Sequence, residues 1–203
     1  MIPPKTRRLL LARLGELLTY PDDRLGSRVD AAATLTPGDH PCADALASFR
    51  AETGGYTVDA LGELYTRTFD VAPVCIPYLS IHLFGEESFR RARLMTGLSE
   101  SLTAAGVALD GELPDHLAVV LRAAPALPDE VWEDLLEYVL RAAVHAMLGA
   151  IAETPNPYRW PLRAVESLIG PATAEDHERL AAARRDREAP ARPDAAGAAC
   201  GGR

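Results

Sequence analysis

The run Glu112-Leu113-Pro114-Asp115-His116-Leu117 sets a carboxylate beside an imidazole, just after a proline. A carboxylate that orients an imidazole is a familiar support for a general base, because imidazole exchanges its proton near neutral pH. Adjacent residues of a helix point to different faces, however, so these two side chains need not meet. The same run reads equally as a helix start. Pro114 fits the first helical position, where its missing N–H costs nothing, and Asp115 suits a cap or a charge complement at the helix N-terminus. His116 is then left to contact a neighbouring helix or a bound peptide. A second set of residues, Tyr65, Phe69, Pro73, Pro77, Tyr78 and Phe84, could line a groove for a peptide. Tyr65 and Phe69 are four residues apart on one helix face, a spacing that serves ordinary core packing just as well.

The remaining reactive side chains are sparse. His145 lies in a long apolar helix and reads as a core residue, His82 has no ligand partner at i+4, and His40 and His177 sit in polar surroundings. Cys42, Cys75 and Cys200 show no C-x-x-C pairing or histidine partner at zinc-ligand spacing, and so few thiols suit a reducing cytoplasm. No phosphate loop, dinucleotide fingerprint, H-E-x-x-H pair or nucleophile elbow is present. Enzyme activity has no support in the sequence.

The elements that must position these residues are helices. Leu10, Leu14, Leu17 and Leu18 share one face of a helix from Thr6 to Tyr20, stopped at Pro21. Asp22-Asp23 favours the start of a short helix to about Ala33, and Thr36-Pro37-Gly38-Asp39 reads as a turn. Helices near Cys42–Glu52 and Val58–Phe69 are separated by Gly54-Gly55, where the chain can reverse. The stretch from Asp70 to Gly85 is expected to begin irregularly and to end in a turn or two of helix around Tyr78–Phe84. Glu86, Glu87 and Ser88 then open a helix to about Ala105, with Gly106 as its stop. Pro128 opens the longest helix, whose stripe of Val131, Leu135, Val139, Ala143 and Met147 is widened by Trp132, Leu136, Leu140, Val144 and Ile151, as befits a central core helix. Pro155-Asn156-Pro157 ends it. Helices over Tyr158–Ile169 and Thr173–Arg185 follow, and from Asp186 the Ala, Pro, Gly and Arg content without periodicity predicts a disordered tail. No alternating strand pattern competes, so the expectation is an all-α single domain of eight or nine helices, residues 1–185, with a tail over 186–203.

Composition agrees with one domain: 203 residues with 48% apolar content bury a single substantial core. The net charge of −8 is uneven. Residues 1–14 carry only basic charges (Lys5, Arg7, Arg8, Arg13), residues 173–203 are balanced, and the body between is acidic. An acidic body disfavours nucleic acid, whose binding relies on clustered basic side chains, and favours a basic peptide partner. Val71–Gly85, the longest uncharged stretch, is too short and too broken by Pro73 and Pro77 to cross a bilayer. Arg13 and Glu16 interrupt the apolar run that a signal peptide would need. A soluble cytoplasmic protein is expected.

Three segments together carry a family resemblance: Tyr65-Thr66-Arg67-Thr68-Phe69-Asp70, Gly85-Glu86-Glu87-Ser88 with the helix reaching Met95 and Leu98, and Glu112-Leu113-Pro114-Asp115-His116. They resemble the NarJ-like, delta-subunit branch of the TorD/DmsD family, cytoplasmic chaperones that assemble molybdoenzymes such as respiratory nitrate reductase. The match is best from Tyr65 to Leu121. It departs from the family where an Arg-Gly pair is usual, since Arg91 is followed here by Ala92. The resemblance implies an all-helical fold without catalysis. It implies a partner, the cofactor-free catalytic subunit of a molybdoenzyme, bound through its N-terminal segment and held ready for insertion of a molybdenum cofactor that belongs to the client; the chaperone holds no cofactor and no metal. The residues so implied are Tyr65, Phe69, Glu112, Pro114, Asp115 and His116, and with Pro77 and Tyr78 of the candidate groove they form the expected peptide-binding set. The alternative is a helical peptide-binding or regulatory module unrelated to molybdoenzymes, with the Glu112–His116 run serving only as helix-start architecture.

Overall fold

A computed structural model describes residues 2–188. The expected tail lies outside them except for 186–188, which continue the last helix. The described residues form an all-helical domain of ten helices without strands, the longest being interrupted by a π turn. In order these are α1 (Pro4–Leu17), α2 (Leu25–Leu35), α3 (Pro41–Thr53), α4 (Val58–Tyr65) continuing into a π turn (Thr66–Asp70), α5 (Leu79–Phe84), α6 (Phe89–Ala104) and α7 (Leu117–Ala123). The long helix runs as α8 (Asp129–Leu135), a π turn (Leu136–Leu140) and α9 (Arg141–Ile151), and α10 (Arg159–Ile169) and α11 (Ala174–Glu188) complete the chain. No described helix is long and apolar enough to cross a membrane.

Leucine periodicity places α1 at the centre. Leu10, Leu11, Leu14 and Leu17 are fully buried, and α1 packs against α2, α7 and α10. Gly15 lets α1 and α7 touch: a Cβ there would lie 2.9 Å from the Ala118 carbonyl oxygen and 3.0 Å from Leu121 Cβ. The stripe on the long helix is also buried as its spacing predicts, except that Val131 and Leu136 are only half-covered. Because a π turn closes on i+5, Leu135 and Leu140 both reach the core across it.

Polar starts fix where several helices begin. Thr57 accepts from the Ala60 N–H (3.2 Å) at α4, and Ser88 from the Arg90 N–H (3.2 Å) at α6. The second of these corrects an expectation: Glu86 and Glu87 precede the helix and Ser88 is its cap, so α6 starts at Phe89. Asp176 and Thr173 bond reciprocally at α11, Thr173 N–H to Asp176 Oδ2 (2.9 Å) and Asp176 N–H to Thr173 Oγ1 (3.2 Å). Helix α6 is peripheral: only Leu98 and Leu102 are buried along its sixteen residues, and Phe89 at its start is 79% exposed.

Candidate functional site

The two segments that flank the site meet through their backbones. Between α5 and α7 the chain forms a single antiparallel bridge, Tyr78 opposite His116. The Leu117 N–H donates to the Pro77 carbonyl (2.9 Å) and the Leu79 N–H to the Asp115 carbonyl (2.9 Å). The Tyr78 and His116 rings lie edge to face with centroids 5.5 Å apart. Two helix starts are thereby held side by side.

Pro114 does not open α7. It and Asp115 form a turn closed by the His116 N–H on the Leu113 carbonyl (3.0 Å), and the helix begins at Leu117. A proline with φ near −65° serves the second position of such a turn as well as the first position of a helix. The cap of α7 is His116, whose Nδ1 accepts from the Ala118 N–H (3.2 Å). Asp115 instead reaches across to α5. Its Oδ2 accepts from the Ser80 N–H (3.1 Å) and from the Ser80 hydroxyl, so it caps the neighbouring helix rather than its own. Asp115 is 0% exposed. Ser80 Oγ in turn accepts from Arg91 Nε (3.0 Å), which ties α6 to the same junction. Ala92 is exposed, and its methyl group needs no room in the interior. Ser80 and the role of Arg91 were not legible in the sequence; a serine one residue into a short helix after Pro77-Tyr78 was the only local signal.

The other expected residues fall into two groups. Pro77 and Pro114 are buried beside the bridge, Tyr78 is half-buried and Glu112 is exposed at the rim. Glu112 acts on the rings around it. Burial is the main reason the Tyr65 and Tyr78 phenols lie above their ordinary value, and Glu112 raises both further. Tyr65 and Phe69 themselves lie in an aromatic core. Tyr65 packs on Phe69 (5.1 Å), Tyr20 (5.5 Å) and Tyr158 (5.8 Å), and its hydroxyl donates to the Leu18 carbonyl (3.3 Å). Of the two readings left open for these residues, the structure places them in the packed interior, under the site rather than on it. Exposed apolar side chains that sequence reasoning missed are Leu113, next to Pro114, and Val71 and Val74 in the loop between the π turn and α5. Ala72 between those valines takes a left-handed conformation (φ 49°), which is strained for alanine. On the outer face of α4, Tyr20, Asp59, Glu63 and Arg67 line a cleft of about 500 Å³.

Little here suits proton transfer. His116 is 3% exposed, and burial lowers its pKa below the ordinary 6.5, an effect that Glu112 and Asp115 oppose and Arg122 reinforces. An imidazole that accepts the Ala118 N–H at Nδ1 is neutral, and its cap is lost when that nitrogen is protonated. His82 is lowered in the same direction, mainly by burial, while its Nε2 bonds to the Ile76 carbonyl (2.9 Å). Both histidines take up a proton more readily in the unfolded chain, so their contribution to stability is complete above about pH 6.5 and is lost as the pH falls below it. His116→Asn keeps a side-chain acceptor for the cap without the titration. Chemical denaturation at pH 7.5 and pH 5.5 is expected to show a smaller acid-induced loss for this variant than for the wild type; equal losses would remove His116 as a source.

The buried thiols are inert: burial pushes Cys75 up to about 12 and Cys42 up to about 11, and Cys75 Sγ lies 3.7 Å from the Met147 carbonyl oxygen. Cys200 lies outside the described residues. His145 is not a core residue. It is half-buried at the edge of α9 and stands edge-on to His177 with centroids 4.7 Å apart, because the apolar stripe of the long helix turns its other side to solvent.

A sequence model of the nitrate reductase delta subunit matches residues 35–161, which span α3 to the start of α10 and include the whole bridge. The chain is also 31% identical, over 151 residues, to the nitrate reductase-like protein NarX of Mycobacterium tuberculosis, in strains CDC 1551 / Oshkosh and H37Rv. That alignment covers 73% of this chain and 22% of the relative, so the chain spans about a fifth of the length of the curated relatives it matches. With the family model covering more than half of the chain and all three motif-bearing segments, the protein belongs to the nitrate reductase delta subunit family, a family of molybdoenzyme assembly chaperones.

Proposed function

We propose that this protein binds the immature catalytic subunit of a molybdoenzyme, nitrate reductase or a close relative, through that subunit's N-terminal segment, and keeps it competent for molybdenum-cofactor insertion and complex assembly. The observation that carries the reading is the Tyr78–His116 bridge. It gathers five of the eight expected residues, Pro77, Tyr78, Pro114, Asp115 and His116, at one junction, with the exposed apolar side chain of Leu113 next to Pro114 in the chain. A surface of this kind takes an extended or helical segment through apolar contacts, while Glu112 and Asp70 at its rim favour basic groups on the partner. The protein supplies no chemistry. It distinguishes a client whose N-terminal segment is free from one in which folding has buried it, and release follows from that difference in affinity. A protein that acts on the immature client is expected to work in the cytoplasm, with the molybdenum cofactor belonging to the client.

Capture of the tagged protein from its host under anaerobic respiration is expected to recover a cofactor-free molybdoenzyme catalytic subunit. Titration calorimetry with a peptide of that subunit's N-terminal segment then locates the site. Tyr78→Ala and Leu113→Ser change side chains that are at least partly exposed, so the fold should survive, and together they are expected to weaken binding about tenfold or more. Wild-type affinity in both variants, or normal maturation of the enzyme in a deletion strain, would overturn the proposal.

A further inference from the structure

A second cleft, of about 380 Å³, lies between α5, α9 and α11, lined by His82, His145, Ala146, Gly149, Arg184 and Arg187 among others. We propose that it binds the phosphoryl group of a small phosphorylated molecule. Arg184 and Arg187 stand three residues apart on α11 and therefore share a face. Among the described residues neither pairs with a carboxylate and no acidic side chain lines the cleft. In a chain of net charge −8, this is a cationic hollow in an acidic molecule. Among the described residues Arg187 makes one long hydrogen bond, from Nη1 to the Ile81 carbonyl (3.3 Å), which leaves most of its five donors for a ligand.

The donor set selects the ligand. Two guanidiniums present planar forks of N–H groups, and a phosphoryl group offers them three acceptor oxygens and nearly two negative charges. A lone carboxylate, with two oxygens and one charge, engages one fork and leaves the other unmatched. The His145 ring, edge-on to His177, lines the same cleft, as do Ala146 and Gly149, residues too small to fill it. The volume lies in the range of small-molecule sites and exceeds what a bare phosphate needs, so there is room for the organic part of the ligand.

Pyrophosphate is the probe, with citrate at matched ionic strength as the carboxylate control, each titrated into the full chain by calorimetry and by backbone-amide NMR. Pyrophosphate is expected to bind saturably, to shift amides of α9 and α11, and to weaken as salt rises. Arg184→Ala with Arg187→Ala removes both forks from exposed positions and is expected to cost about tenfold or more in affinity. Gly149→Leu tests the same space by another route. A Cβ at this position meets nothing within 4 Å, so the helix accepts the side chain, which then occupies the cleft and is expected to reduce binding comparably. Circular dichroism should be unchanged in both variants. Absence of saturable binding, binding indifferent to either variant, or citrate binding as tight as pyrophosphate would each overturn the proposal. It stands apart from the chaperone reading: loss of client binding in Tyr78→Ala leaves it intact.

Discussion

Asp115→Ala is expected to cost about 2–4 kcal/mol of folding stability and, with it, most of the affinity for the client. Its carboxylate accepts two hydrogen bonds from Ser80, one from the backbone N–H at 3.1 Å and one from the hydroxyl. A carboxylate acceptor of this sort contributes roughly 1.5–3 kcal/mol, and stranding a buried donor adds roughly 1–3 kcal/mol when no water can reach it. Ser80 is itself fully buried, so its N–H finds no substitute. The effect on the client follows from geometry. Asp115 is sealed off and touches no ligand; it is a positioning residue that holds the start of α5, and with it Pro77 and Tyr78, against the segment carrying Leu113 and His116. Asp115→Asn retains an oxygen for the Ser80 N–H and should recover part of both losses, whereas Ser80→Ala keeps the N–H bond to Asp115, removes the hydroxyl's links to Asp115 Oδ2 and Arg91 Nε, and should cost about 1.5–3 kcal/mol. Urea denaturation alongside peptide titration separates positioning from contact. A variant that binds poorly but unfolds like the wild type would mean that Asp115 meets the client directly.

What could be read in advance was whatever local sequence determines. Leucine spacing gave α1 and the long helix, and Pro128, Gly106 and the Pro155–Pro157 pair marked ends that the structure keeps, since apolar stripes and backbone restrictions act over one or two turns. The site was legible in composition but not in connectivity. A peptide-binding role for Pro114, Asp115 and His116 rested on the family resemblance, and one for Pro77 and Tyr78 on their fitness to line a groove. Asp115 was expected to cap its own helix because a cap partner normally lies within three residues; the partner it has, Ser80, is 35 residues away, and no periodicity encodes that distance. Pro114 was misassigned for the opposite reason, since one backbone angle serves two local structures. His145 was misplaced because an apolar stripe tells which residues are buried along its centre and says less about those at its edge. Tyr65 and Phe69 could not be divided between groove and core from their own helix, because the other rings that enclose them come from Tyr20 and Tyr158.

Tyr158 is the residue on which that enclosure turns, and its two simplest variants should move stability in different directions. It is 0% exposed and packs on Phe69 (5.0 Å), Phe49 (5.7 Å) and Tyr65 (5.8 Å), joining α3, α4 with its π turn, and the start of α10. Its backbone N–H donates to Asn156 Oδ1 (3.0 Å), while Asn156 Nδ2 donates to Thr68 Oγ1 (2.7 Å) within the π turn, so the ring is aimed from both sides. Tyr158→Ala opens a cavity among three aromatic rings and is expected to cost about 3–5 kcal/mol, a fall in melting temperature on the order of 10–15 °C for a chain of this size. Tyr158→Phe removes only the hydroxyl, which is buried without a hydrogen-bond partner and whose burial raises its pKa. Deleting an unpartnered buried polar atom relieves a desolvation cost and keeps every ring contact, so this variant should melt at the wild-type temperature or above it. Thermal denaturation of the pair decides the point: a loss in Tyr158→Phe approaching that of Tyr158→Ala would show that the hydroxyl is bonded in solution, and that the aromatic cluster holds together through a polar contact as well as through its rings.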